Sequence, residues 1–297
     1  MKRLVSLAML SGLAMTACDS GPLPQPVVVY LGAEQESGLA ASFSKFTDET
    51  RIPVTMRVGD SDANTEKVIS NSGAPPADVL LTSNVADIWR AADRGALRPL
   101  QGIALRAVPP VLRDPDELWA ALEVRDAVIG ISPDARVARV DSYVDLAKFE
   151  FRGALCLSSA TLSVNRSLIG MLIEDLGVKP AERVVRAWVR NLAAAPFATE
   201  AELVDALRSG TCQYGIFSGS IDSEGLSRLV PDPVYVDIDG IGVARHALHA
   251  GSAQELVNWL LAEKSFQETA ASNGKNIGLA GWRDEDVTLL VERAGYR

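Results

Sequence analysis

The stretch Val27-Val28-Val29-Tyr30-Leu31-Gly32, followed by the helical spacing of Leu39, Phe43 and Phe46 and then by the alternating run Ile52–Val58, decides the fold. A continuous apolar run ended by glycine fits a buried strand, and apolar residues three and four apart mark one face of a helix. Together they make a βαβ unit. The same alternation continues outward. Asp62–Ser70 reads as an amphipathic helix, Asp78–Leu81 as a buried strand, and Thr82-Ser83-Asn84 as the boundary of a helix running through Ala92. Strands are expected at Trp119–Val124, Ala127–Ile131 and Ala154–Leu157, then a helix over Ser163–Leu176. Further on come a strand at Gln213–Phe217, extended pieces at Val234–Asp237 and Gly242–Arg245, and capping boxes opening at Thr199, Ser252 and Ser265. This repetition predicts an α/β fold of parallel or mixed sheets flanked by helices.

The chain has 297 residues, 47% of them hydrophobic, and a formal net charge of -9. Its length exceeds what a single core usually supports, which favours two domains. Lys2 and Arg3 precede an apolar run from Leu4 to Met15, and Thr16-Ala17 stands directly before Cys18. That is the layout of a bacterial lipoprotein signal, with residues 1–17 removed and Cys18 carrying the lipid. The run is shorter than the roughly twenty residues of a membrane-spanning helix. Asp19 resembles the residue that keeps such lipoproteins in the inner membrane of Gram-negative bacteria, and Pro22, Pro24 and Pro26 stiffen residues 18–26 into a tether. Loss of Lys2 and Arg3 makes the remaining body more acidic still, which excludes nucleic acid as a partner because phosphates need a basic footprint.

Five segments carry a resemblance: Pro76-Ala77-Asp78-Val79-Leu80-Leu81, Leu112-Arg113-Asp114-Pro115-Asp116, Gly153-Ala154-Leu155-Cys156, Gly210-Thr211-Cys212 and Gly242-Val243-Ala244-Arg245-His246-Ala247. In this order and spacing the chain resembles the periplasmic ferric-ion-binding proteins that serve ABC importers, from about Val27 to Leu279. The resemblance implies a type II periplasmic-binding-protein fold of two lobes, each a mixed sheet flanked by helices, joined by crossing hinge strands. Residues 27–124 with 238–297 would form lobe one and residues 125–237 lobe two, with hinges at Glu123–Val128 and Val234–Gly242. A ligand held between two such walls selects the closed state and passes to a permease and ATPase in the inner membrane. The protein would be a periplasmic monomer that meets the membrane through its lipid alone. Some relatives carry cysteines at the positions of Cys156 and Cys212, which implies a disulfide there; two buried free thiols are the alternative.

The family holds ferric ion with adjacent tyrosines of lobe two, carboxylate or imidazole of lobe one, and a bound anion. Here the tyrosine pair falls near Ser220-Ile221-Asp222, and the tyrosines are absent. Tyr30, expected to end the first strand where the family puts a cleft loop, offers an oxygen ligand to a hard cation together with Glu34, Asp60 and Asp222, with Asp60, Asp222 and Tyr30 as the metal ligands; the alternative is that Tyr30 stacks in the cleft and the acids are solvated. Ser158 stands where many relatives place an anion-binding arginine. Ser159, Thr161 and Asn165 keep a hydroxyl- and amide-rich loop at a helix N-terminus, whose free N–H groups and positive dipole end can cradle an anion; the alternative is simple N-capping by Ser163 or Thr161. Thr82 and Ser83 open a second such helix. Arg125, at the hinge, is either the fixed cation for that anion or an interlobe salt bridge. Ferric ion follows from the resemblance, an oxyanion or phosphorylated organic solute from the residue chemistry, and both stay open. His246 and His249 read as structural, and the five tryptophans as core. Gly215-Ile216-Phe217-Ser218-Gly219 lacks the spacing of a nucleophile elbow, so no enzyme is expected. A tethered ligand sensor is the remaining rival.

Overall fold

Strand β1 (Val27–Gly32) is buried along its whole length because both of its edges are paired. It runs parallel to β2 (Val54–Gly59) on one side and to β3 (Val79–Thr82) on the other. Helix α1 (Ala33–Thr50) turns Gln35, Leu39, Phe43 and Phe46 inward, one residue per turn. Helices α2 (Ser61–Ile69) and α3 (Val85–Asp93) follow β2 and β3, capped by the side chains of Asp60 and Asn84. Because the three strands are parallel, the N-termini of α1, α2 and α3 gather at one edge of the sheet, where α/β folds bind ligands. The computed structural model describes residues 25–136, 139–264 and 275–297. The signal with Cys18, nearly all of the tether and the capping box at Ser265 lie outside the described residues, among which no helix is long and apolar enough to cross a membrane.

Two long strands carry the chain between halves. Strand β5 (Ala120–Ile131) pairs antiparallel with β9 (Val236–Ala244) over Ala120–Asp126, and over Ala127–Ile131 with β7 (Tyr214–Ser218) and β8 (Ser227–Leu229). Strand β9 continues onto β3 and onto β4 (Leu97–Arg98), while β6 (Leu155–Leu157) lies parallel to β7, giving the order β2-β1-β3-β9-β5-β7-β6. The sequence reading divides both long strands in two. Glu123, Arg125 and Asp126 interrupt the apolar pattern of β5, as Asp237 and Asp239 interrupt that of β9, yet pairing is continuous apart from a bulge between Ala121 and Glu123.

Helix α4 spans Ser163–Leu176, as its periodicity predicts. No helix is expected after it, but α5 (Val178–Asn191) buries Ala181, Val184, Val185 and Trp188, a helical spacing that was there to be read. Helix α6 (Glu200–Arg208) opens on the capping box of Thr199 and Glu202. Helix α7 (Ala250–Ala262) starts two residues before Ser252, because His249 anchors its N-terminus: its backbone N–H donates to Asp78 Oδ1 at 2.8 Å and its Nδ1 meets Asp78 Oδ2 at 3.1 Å. Helix α8 (Gly278–Trp282) wedges between α3 and α4, and α9 (Asp284–Ala294) packs on α4 and α5. Helix α8 is thus shared between α3 of the first half and α4 of the second, while α9 lies against the second. Trp282, expected in the core, is 58% exposed and packs edge-on with Trp89.

Cys156 on β6 and Cys212, just before the neighbouring β7, form a disulfide with their Cα atoms 5.8 Å apart. The bond joins residues 56 apart, and a closed loop of that length restricts the unfolded chain by about 4 kcal/mol. The C156A/C212A double variant should lose roughly that much stability in urea unfolding; a loss of less than about 1 kcal/mol would show that the reduced, unfolded chain is already compact.

Candidate functional site

A cavity of about 1360 Å³ opens where the N-termini of α1, α2 and α3 face those of α4 and α6, with β5 and β9 between them. Its centre is a buried ion network. Arg125 of β5 donates from Nη1 to Asp239 Oδ1 at 2.5 Å, and from Nη2 to Asp237 Oδ2 at 2.9 Å and to the Ser83 carbonyl at 3.0 Å. Each acid reaches one wall: Asp237 accepts from Ser167 of α4 at 2.7 Å, and Asp239 accepts from Gln35 of α1 at 2.9 Å. Burial opposes the charge of Arg125, but the two carboxylates more than offset it and raise its pKa. Arg125 is therefore the salt bridge of the two sequence readings, with its donors already committed.

The cleft wall carries eight carboxylates, Glu34, Asp60, Asp62, Asp87, Glu123, Glu200, Asp239 and Asp284, against three arginines. Every arginine is paired. Arg90 bonds Asp62 at 2.5 Å and Asp87 at 3.0 Å, and Arg166 bonds Asp284 from Nε at 2.9 Å. Lys264 takes Glu123 at 2.7 Å. Among the described residues this leaves Glu34, Asp60 and Glu200 without a cationic partner. Glu34 and Asp60 belong to the wall of α1 and α2, where the helix dipoles soften their charge; Glu200 stands alone on the opposite wall. Its Oε1 accepts from the Ser218 N–H at 2.5 Å. Burial pushes its carboxyl above the ordinary value, while Ser218 and then Arg125 oppose the shift.

Of the residues expected at the site, Glu34, Asp60, Ser83, Arg125, Thr161 and Ser220 line this cleft. The others stand elsewhere. Tyr30 is not at the end of β1, which runs on to Gly32; its hydroxyl donates to the Pro75 carbonyl at 2.9 Å, in a small separate pocket with Arg57 and Lys67. Thr82 is fully buried and its hydroxyl donates to the Asn84 carbonyl at 2.8 Å. The expected anion loop turns its polar groups on itself: Asn165 Nδ2 donates to Ser158 Oγ and to the Ser159 carbonyl, both at 2.9 Å, and the Ser159 and Thr161 hydroxyls share one bond. Asp222 leaves the cleft because the chain reverses at Ser218–Ile221; its exposed carboxylate lies 3.7 Å from Arg208. Glu200 escaped the sequence reading because it looked like one more acid in the first turn of a capped helix.

No model of a known protein family matches the chain. Iron uptake protein A1 of Synechocystis is 27% identical to it, over 90% of this chain and 82% of its own. The Fe(3+)-binding periplasmic protein of Serratia marcescens is 26% identical, over 84% and 77%. A Trichodesmium protein solved in complex with iron and citrate ligands matches with a TM-score of 0.81 at 24% identity, covering 92% of this chain and 100% of that one. The chain is similar, in sequence and in fold, to the periplasmic ferric-ion-binding proteins. The fold is accordingly the two-lobed type II architecture, and the relatives are binding and uptake proteins, not enzymes. Against the family pattern read from the sequence, the cleft lining here includes no tyrosine and no histidine among the described residues.

Removing the Arg125 charge strands Asp237, which is fully buried, and Asp239 beside it. Breaking a buried pair from one side costs about 3–5 kcal/mol. The R125M variant should lose that much stability in urea unfolding, and R125M/D239N should recover part of it; an R125M protein as stable as the parent would contradict the network's role.

Proposed function

We propose that the protein is an extracytoplasmic solute-binding lipoprotein of an ABC importer, which captures a hard cation, ferric iron foremost, between its lobes. It delivers the cation to a permease and ATPase in the inner membrane. The observation that carries this reading is the charge left on the two walls: among the described residues, carboxylates without cationic partners on both sides and no free cation in the lining to receive an anion. Carboxylate oxygens suit hard, highly charged ions. The names of the relatives point the same way, since they are iron uptake and Fe(3+)-binding proteins.

The cavity exceeds the roughly 300–1,000 Å³ of ordinary ligand pockets, far more than one ion fills. Lobe closure about β5 and β9, or an organic acid accompanying the ion, has to take up the rest. The N-terminus of α4 has no side-chain cap and reaches the cleft through Thr161–Ser163, so it offers N–H groups to the carboxylates of such a chelator. In this reading residues 27–124 and 238–264 move as one lobe and residues 125–237 with α9 as the other, α8 lying between α3 and α4. Cys18 holds the whole to the membrane.

Protein isolated from its native envelope without added ligand should carry close to one iron per chain by elemental analysis. Its iron-loaded form should lack the visible band of a phenolate-to-iron charge transfer, since the tyrosines lie outside the cleft. Metal-free protein that carries an organic phosphate by mass spectrometry would overturn the proposal.

A further inference from the structure

Among the carboxylates of the cleft, Glu200 is the one on the lobe-two wall with no ion-pair partner among the described residues; Arg125 acts on it only at a distance. Asp284 shares that wall, but Arg166 holds it from Nε at 2.9 Å. Glu200 is also fixed in place. It is the first residue of α6, whose backbone is set by the reciprocal bonds of Thr199 and Glu202, both 3.2 Å. Its Oε1 is committed to the Ser218 N–H, and Oε2 has no partner among the described residues. Ser218 in turn shares a hydroxyl bond of 2.7 Å with Ser220, so the carboxylate sits two hydrogen bonds from the position where the resemblance expects the absent phenolates.

A half-buried carboxylate without a direct ion-pair partner is an unfavourable arrangement in an empty protein, because desolvation penalises the ionised form. Such groups persist where they are used. An oxygen held rigidly by one backbone N–H, with its sister oxygen free, is prepared to meet a cation without losing further rotamer freedom. The opposite wall supplies Glu34 and Asp60, also free of cationic partners, so that closure brings acid from both sides onto one ion.

We propose that Glu200 is the lobe-two ligand of the captured cation, the hard oxygen donor that stands in for the missing tyrosine pair. This rests on the reading of the cleft as a cation site.

The test titrates the full-length, ligand-free protein with ferric citrate, followed by tryptophan fluorescence and by calorimetry. E200Q keeps an oxygen that can accept from Ser218 N–H while losing the charge. It should bind at least about tenfold more weakly than the parent, the loss of one charge-assisted contact, with an unchanged melting temperature. D222N, which alters an exposed acid outside the cleft, should bind as the parent does. If E200Q also lowers the melting temperature, E200D decides: the retained charge restores binding under the proposal, and binding as weak as that of E200Q overturns it. E200Q binding within about twofold of the parent overturns the role of Glu200 and leaves the cation reading standing. A parent protein that takes up no iron at all overturns both.

Discussion

Arg125 lies between the two strands that join the lobes, and its charge is what allows Asp237 and Asp239 to stay buried there. The cost of taking three charges out of water is met only because each finds partners in good geometry. Those partners are distributed: Ser83 and Gln35 on one side of the cleft, Ser167 on the other. The crossing strands are thereby fastened to both walls.

The same network decides the sign of the cleft. With Arg125, Arg90 and Arg166 each saturated by acids, no guanidinium remains to anchor a phosphate, and the loop after β6 has its amide and hydroxyls turned inward. What the ligand meets is carboxylate from both sides, tempered by converging helix N-termini. This differs from the arrangement implied by family resemblance, in which phenolates do the work, but under the proposed function it offers the same kind of atom, an anionic oxygen.

Much of the scaffold is legible in the residues. The buried run of β1, the spacing of Leu39, Phe43 and Phe46, and the Thr199 capping box each declare an element through hydrophobic period or local hydrogen bonding. The errors cluster where polar residues are buried for a purpose. Strands β5 and β9 were split by the very charges that pair across them, because a pattern of hydrophobicity cannot register an ion pair between residues more than a hundred apart. The cleft was half legible. Glu34 and Asp60 follow from where α1 and α2 begin, whereas Tyr30 was misjudged by the two residues that β1 runs beyond it. Glu200 depends on a tertiary contact with Ser218 that no local pattern announces.

The central claim is that a positively charged solute draws two acidic walls together about the β5–β9 pair. Small-angle X-ray scattering on the ligand-free protein, before and after one equivalent of ferric citrate, tests it directly. The account predicts a smaller radius of gyration with iron present and no change with citrate or phosphate alone. A protein that contracts around phosphate and ignores iron would contradict it.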